Sequence, residues 1–278
     1  MGAHADVSPG WGTAHQGLVQ RRGTRHPAAT PGNALGVAQT GAYEPRAEAM
    51  GVIDNPFDDP ALASGYEAWY ETEGRTADRL ERGLLGWLMA GFPHARSALE
   101  IGTGTGHFAR WLRDMHWQVV GLDRSAPMLS EAARRDAVLL VLGDATALPF
   151  ARGAFDVALL IATLEFLPSP ARALREAARV ARHGIVLGVL NRWNPLAWQR
   201  KRSELPLWQR AHFYSPPELA NLLRRALGAQ ADGITWRTTL LPRFWPRRHS
   251  CLPIGAFIGM RVTLCGNSLP THQDTKNP

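Results

Sequence analysis

Glycines at 102, 104 and 106, with Glu100 just ahead of them, close an apolar run of strand length and open a run of helical period. A glycine turn between strand and helix lets backbone N–H groups approach a polar ligand, and any larger side chain would fill the ligand's space. A dinucleotide fingerprint, G-x-G-x-x-G, would put its third glycine at position 107. His107 stands there, and the third glycine comes one residue early. Asp123 ends the next apolar run, 17 residues beyond Gly106, where a carboxylate can accept hydrogen bonds from both hydroxyls of a ribose. A helix cap ahead of Ser125-Ala126-Pro127 is the competing role for it. In Gly143-Asp144-Ala145-Thr146-Ala147-Leu148-Pro149-Phe150, Asp144 can receive the exocyclic amine of adenine while Ala145 donates its N–H to a ring nitrogen. An ordinary Asp turn competes there.

Such residues act together only if a scaffold brings them to one edge. Short apolar runs at 98–101, 118–122, 138–142, 155–161 and 185–190 alternate with helical patterns. Phe108, Trp111, Leu112 and Met115 recur at i, i+3, i+4 and i+7; a helix is expected over 127–134; Leu174, Ala177, Ala178 and Ala181 share a face after Ser169-Pro170. Ser215-Pro216-Pro217-Glu218 reads as a capping box with proline at the first helical position. Upstream, 59–90 is helical: Asp59-Pro60 starts it, Gly74 divides it in two, and Leu80, Leu84, Leu85 and Leu88 line one face. Two last strands, 234–241 and 254–264, have no helix between them and are expected to pair antiparallel. Alternating β and α implies a parallel sheet covered on both faces, with ligands at the carboxyl ends of its strands. The chemistry then belongs just after Ile101, Leu122, Leu142 and Ile161.

Over residues 97–184 the chain resembles the small-molecule branch of the class I S-adenosylmethionine-dependent methyltransferases, of the methyltransferase type 11 kind. The resemblance rests on LEIGTGTGHF, GLDRSAPML, GDATALPF and FDVALLIATLEFLPSPARALREAARVARHG. It implies an α/β, Rossmann-like seven-stranded sheet of order 3-2-1-4-5-7-6, strand 7 antiparallel, with helices on both faces. It also implies S-adenosyl-L-methionine as cofactor. Gly102 and Gly104 would approach its methionine and ribose portions, with Thr103 and Gly106 in the same loop. Glu100 would lie near the amino group, Asp123 on the ribose with Arg124 and Met128 beside it, and Asp144 with Ala145 on the adenine. Ala162 and Thr163 would border the reacting centre. Tyr66 and Tyr70 are candidate lids, with ordinary helix packing as the alternative. Glu165, Asn191 and Trp193 are candidates for the substrate side, although many relatives carry histidine where this chain has Glu165.

Methyl transfer discharges a sulfonium, so catalysis rests on in-line positioning and exclusion of water, and a general base is needed only when the acceptor must lose a proton. The lack of any triad or metal-ligand pattern fits that. Cys251 and Cys265 form no CxxC pair. Residues 191–214, long for a connection, carry Trp193, Trp198, Trp208, Phe213 and Tyr214 among Arg192, Arg200, Lys201, Arg202 and Arg210, and Arg243-Phe244-Trp245-Pro246-Arg247-Arg248 follows between the last strands. From 191 to 250 eleven basic residues face three acidic ones, a larger excess than the whole chain's +7. A substrate cap for an aromatic or anionic acceptor is one reading; a solvated helix whose tryptophans pack inward is the other. An RNA methyltransferase, a NAD-dependent oxidoreductase and a non-catalytic cofactor-binding protein are the rival functions. With 29 arginines against Lys201 and Lys276, in a chain rich in alanine, glycine and proline, the positive charge looks as much genomic as selected for a polyanion. No apolar run nears the ~20 residues of a bilayer span, and no leader pattern opens the chain, so a cytoplasmic protein is expected. The domain should run from 50 to 266, with helices over 50–96 and the cap insert at 191–214, between tails at 1–49 and 267–278.

Overall fold

One sheet runs through the molecule in the order β3-β2-β1-β4-β5-β8-β6-β7. Its strands are β1 (Ser97–Ile101), β2 (Gln118–Asp123), β3 (Leu139–Leu142), β4 (Phe155–Ile161), β5 (Ala181–Leu190), β6 (Ala231–Thr239), β7 (His249–Ser250) and β8 (Phe257–Leu264). The structure is a computed structural model and describes residues 55–265 except 73, 137, 203–205 and 241–248. Both tails, 1–49 and 267–278, and the basic stretch at 243–248 lie outside the described residues.

The first five strands pair in parallel, and β8 enters antiparallel between β5 and β6. This is the expected order with one correction: among the described residues eight strands form the sheet, not seven. The additional one, β7, pairs only Ser250 and His249 with Thr238 and Thr239, too short to leave a periodic trace in sequence. The central strands β4 and β5 are almost wholly buried, as a parallel sheet covered on both faces requires.

The helices are α1 (Pro60–Glu71), α2 (Arg75–Met89), α3 (His107–Asp114), α4 (Ala126–Arg134), α5 (Pro170–Val180), α6 (Pro195–Lys201), α7 (Pro206–Arg210) and α8 (Pro216–Leu227). Local signals set several of their starts. Asp59 accepts from Ala61 N at 2.8 Å ahead of Pro60, and Ser215 with Glu218 forms the capping box. Leu174, Ala177, Leu219 and Leu223 build the core on one face of the sheet; Leu84, Leu85, Leu88, Phe108 and Leu112 build it on the other. Each fully buried leucine contributes roughly 1.5–3 kcal/mol. On α2 the inward stripe is Glu81, Leu84, Leu85 and Leu88, while Leu80 is only half-buried. A carboxylate therefore occupies one position of an apolar face.

Ile101 pairs with Leu122, Asp123 with Leu142, and Ile161 with Gly188, so the strands end along one edge of the sheet. A short 3-10 turn, Pro56–Asp58, lies beside that edge, tied by Ser125 Oγ donating to Phe57 O at 2.7 Å. Among the described residues, no helix is long and apolar enough to cross a membrane.

Candidate active site

The turn after β1 is held to β2 by Gly102 N and Thr103 N, which both donate to Leu122 O at 2.7 and 3.0 Å. Gly102 and Gly104 have φ of 75° and 55°, a region that favours glycine. Their reasons differ. A Cβ on Gly102 would lie 2.3 Å from Thr163 Cγ2, so that glycine makes room for Thr163. A Cβ on Gly104 would meet no protein atom within 4 Å, and Gly104 lines the cavity described below. Only at Gly104 does the missing side chain leave space for a ligand. Gly106, at φ 78°, is the N-cap of α3.

Asp123 accepts from Gly104 N through Oδ2 and from Ser125 N through Oδ1, each at 2.8 Å. Burial pushes its pKa up against the pull of those N–H groups. The helix cap that follows is Ser125, whose Oγ accepts from Met128 N at 3.3 Å. Asp123 thus orders the glycine turn from the neighbouring strand. Asp144 makes the ordinary Asp turn, accepting from Thr146 N at 2.7 Å, while also facing the cavity. Glu100 is 2% exposed and accepts from Thr103 Oγ1 at 2.7 Å; burial pushes its pKa up to about 7. Ala162 holds a φ of 49°, costly for a residue with a Cβ. Its N–H donates to Gly188 O at 2.7 Å, and Thr163 Oγ1 contacts Ile101 O at 3.1 Å and Ile161 O at 3.0 Å, clamping the ends of β1 and β4.

A cavity follows this edge from the turn after β1 to the loop after β3. Every residue expected at the cofactor lines it except Gly106, and so do Tyr66 and Tyr70. Glu165, Asn191 and Trp193 do not. Glu165 is 2% exposed and accepts from Leu190 N at 2.7 Å. Asn191 Nδ2 donates to Pro253 O and Gly255 O at 2.8 and 2.7 Å, fastening the end of β5 to the turn before β8. Trp193 is half exposed. The insert divides likewise: Trp208, Phe213 and Tyr214 are buried, whereas Trp198 is exposed and lies under Arg202.

Sequence reasoning missed a polar staple under the glycine loop. Glu67, on α1, accepts from Thr105 Oγ1, from His107 Nδ1 at 3.3 Å and from Arg110 Nη2 at 2.9 Å. Burial raises its pKa, but the bonds from His107 and Thr105 and the charges of His107 and Arg110 outweigh that and lower it from 4.5 to about 2. His107 Nε2 meets Asp78 Oδ1 at 2.7 Å, and its ring stacks on Tyr70 with centroids 3.6 Å apart. Burial lowers the His107 pKa, and the two carboxylates more than reverse it. Helices α1 and α2 are thereby bound to the loop they cover.

A second cavity adjoins the first. Phe57, Tyr66, Tyr70, Phe108, Ala162 and Phe166 line both, and only the second reaches Glu81, Arg200 and Trp208. Glu81 carried a sequence signal, an acid on a leucine stripe; Arg200 sat unmarked among exposed basic neighbours.

Residues 99–187 match the family model of a methyltransferase domain. The chain is 36% identical over 167 residues to an uncharacterized protein of Mycobacterium tuberculosis, covering 58% of this chain. It spans only 56% of that relative's length. It is 33% identical over 187 residues to the demethylmenaquinone methyltransferase of Roseiflexus castenholzii, covering 63% of this chain and 72% of that enzyme. Among solved structures, an S-adenosylmethionine-dependent methyltransferase of Thermotoga maritima superposes with a TM-score of 0.62 at 28% identity, over 73% of this chain and 96% of that one. With the strand order, the glycine turn and these matches in agreement, the chain belongs to the class I S-adenosylmethionine-dependent methyltransferases.

Proposed function

We propose that this protein moves a methyl group from S-adenosylmethionine to a small-molecule acceptor by in-line displacement. The observation that carries the reading is the open space over Gly104, flanked by Asp123 and continuous with Asp144 and Ala145 in a single cavity. A nucleoside needs those elements together: an approachable backbone, a carboxylate for the ribose and a polar turn for the base. Glu100 would face the amino group, Gly102, Thr103 and Gly104 the methionine and ribose portions, Arg124 and Met128 the ribose side, and Ala162 with Thr163 the reacting centre. When bound, the sulfonium supplies the methyl group and loses its positive charge as the bond breaks.

The protein's own part is positioning and exclusion of water. Thr163 fixes the strand ends, and Tyr66 and Tyr70 come down from α1, held over the loop by the Glu67–His107 staple. Phe57 and Phe166, edge to face with centroids 5.0 Å apart, border both cavities. The likeness to the Roseiflexus demethylmenaquinone methyltransferase supports an acceptor of small-molecule size. We assign the domain to 50–266, with the insert at 191–214 on the acceptor side. Calorimetry with S-adenosylhomocysteine and with NAD tests the reading: S-adenosylhomocysteine should bind the more tightly, and tighter binding of NAD overturns it. Label transfer from the methyl-labelled cofactor to an identified acceptor separates the enzyme from a non-catalytic binder.

A further inference from the structure

His107 is the first residue of α3, directly after the glycine turn, and its ring is where α1 and α2 meet that turn. Nδ1 faces Glu67 Oε2 on α1 at 3.3 Å, Nε2 faces Asp78 Oδ1 on α2 at 2.7 Å, and Tyr70 of α1 stacks on the ring. His107 lines the cofactor cavity, as do Tyr66 and Tyr70. The apolar anchorage of α1 is thin. Among its buried residues, Ala63, Glu67, Trp69 and Tyr70, none is a branched aliphatic, and Glu67 and Tyr70 both meet His107. By contrast α2 buries Leu84, Leu85 and Leu88. What holds α1 over the cavity is therefore largely polar, and polar ties depend on protonation.

Two carboxylates on opposite ring nitrogens require two N–H groups. Only the imidazolium has both; neutral imidazole has one donor and one lone pair. A neutral His107 sets that lone pair against one carboxylate, and the 2.7 Å approach to Asp78 needs the proton more than the 3.3 Å approach to Glu67. Arg82 Nη2, 2.8 Å from Nε2, can donate to that nitrogen only if the proton sits on Nδ1, which leaves Asp78 facing a lone pair; Arg82 Nε is already bonded to Asp78 at 2.7 Å. The tie that goes is thus the one to Glu67, and the stacked Tyr70 ring loses its cation as well. The other charged groups near the ring are Glu81 on α2, Glu100 on β1 and Arg110 on α3. Arg110 and Thr105 bind Glu67 whether or not the ring is charged, so a lost proton loosens the cover without detaching it. We propose that His107 is a positioning residue for the cofactor site: doubly protonated, it clamps α1 and α2 over the glycine turn, and on losing one proton it lets α1 lift Tyr66 and Tyr70 away more often. Burial opposes the ring's charge, but Asp78 and Glu67 keep it above the ordinary 6.5, so the clamp weakens on the alkaline side. The cofactor's identity rests on the methyl-transfer reading; the clamp itself does not.

The test follows hydrogen exchange in the full chain without cofactor from about pH 6 to about pH 10, as protection factors, which divide out the intrinsic pH dependence of exchange. NMR of the imidazole Cε1–H signals, with His107 assigned by its loss in His107→Gln, gives the ring's own midpoint. Protection of 60–71 should fall about ten-fold through that midpoint, the scale of a hydrogen bond between charged groups, while 216–227 stays level. Asp78→Asn removes the closer carboxylate and should move both the midpoint and the step to lower pH, a shift that a merely structural contact would not produce. Glu67→Gln should flatten the step, because an amide accepts from the charged ring and donates to the neutral one. Release of S-adenosylhomocysteine, timed by stopped-flow displacement, should quicken across the same step and follow it to lower pH in Asp78→Asn. A profile without a step, a step that stays put while Asp78→Asn moves the ring's midpoint, or a release rate that ignores the step overturns the inference. If S-adenosylhomocysteine fails to bind while protection of 60–71 follows the ring, the cofactor reading falls and the clamp stands. If it binds and 60–71 shows no step, only the clamp falls.

Discussion

Replacing Glu67 by glutamine removes the charge on which the loop staple converges while keeping the shape of the side chain. Glu67 is 6% exposed, so solvent screening does little to weaken its bonds with His107 and Arg110. Its pKa falls from 4.5 to about 2 on folding, a linkage on the order of 3 kcal/mol at neutral pH. A carboxyl lowered on folding contributes stability above its unfolded value and loses it as pH falls toward the folded one. Between about pH 6 and about pH 3 the contribution should therefore drop by roughly 2 kcal/mol. Urea unfolding of wild type and Glu67→Gln, measured across that range, isolates the difference from every other titrating group. The wild type should be more stable near neutrality by up to about 3 kcal/mol, since glutamine keeps part of the bonding, and the gap should close on acidification. His107 has the opposite sign: its raised pKa stabilises below the ordinary 6.5 and is lost as pH rises through the folded value, so the gap should narrow again on the alkaline side. A gap below about 1 kcal/mol, or one that does not change with pH, would refute the staple.

Asp123→Ala should weaken S-adenosylhomocysteine binding by about 1–3 kcal/mol in calorimetry, because it removes the proposed ribose acceptor and frees Gly104 N; unchanged affinity would contradict the assignment. Glu100, pushed up to about 7 by burial, should lose its proton when a ligand ammonium arrives, so binding near neutral pH should release protons in buffers of different ionisation enthalpy, and Glu100→Gln should abolish the release. Lys201→Ala with Arg202→Ala removes two exposed charges of the insert without touching buried Arg200; cofactor affinity should not change, and weaker short-RNA binding with a shallower salt slope would revive the nucleic-acid reading. A chain starting at residue 50 should melt at the same temperature as the full one, whereas a chain starting at residue 60 loses Phe57 and its bond from Ser125 and should melt several degrees lower.

What could be read beforehand was whatever depends on neighbours in sequence. Asp59 before Pro60, the capping box at Ser215 and Glu218, and the glycine turn after β1 each act within a few residues, and each is present. A parallel sheet followed because its strands alternate with helical crossovers, whereas the strand order came from the family resemblance. The staple escaped notice because Glu67 and Thr105 are 38 residues apart and nothing in either segment marks the other. The insert shows the same limit at shorter range. Trp198 is 69% exposed and Trp208 3%, and Arg200 is buried between exposed neighbours, since which side of a short helix faces inward depends on the cavity it covers. Glu165 sharpens the point. Its carboxyl accepts from Leu190 N and is pushed up to about 7 by burial, with its Oε2 buried and without a hydrogen bond among the described residues. It lines neither cavity. Its charge is felt instead by Arg200 and Glu81. In this chain, then, the polar character of that region lies one layer out, where Glu81 and Arg200 line the second cavity.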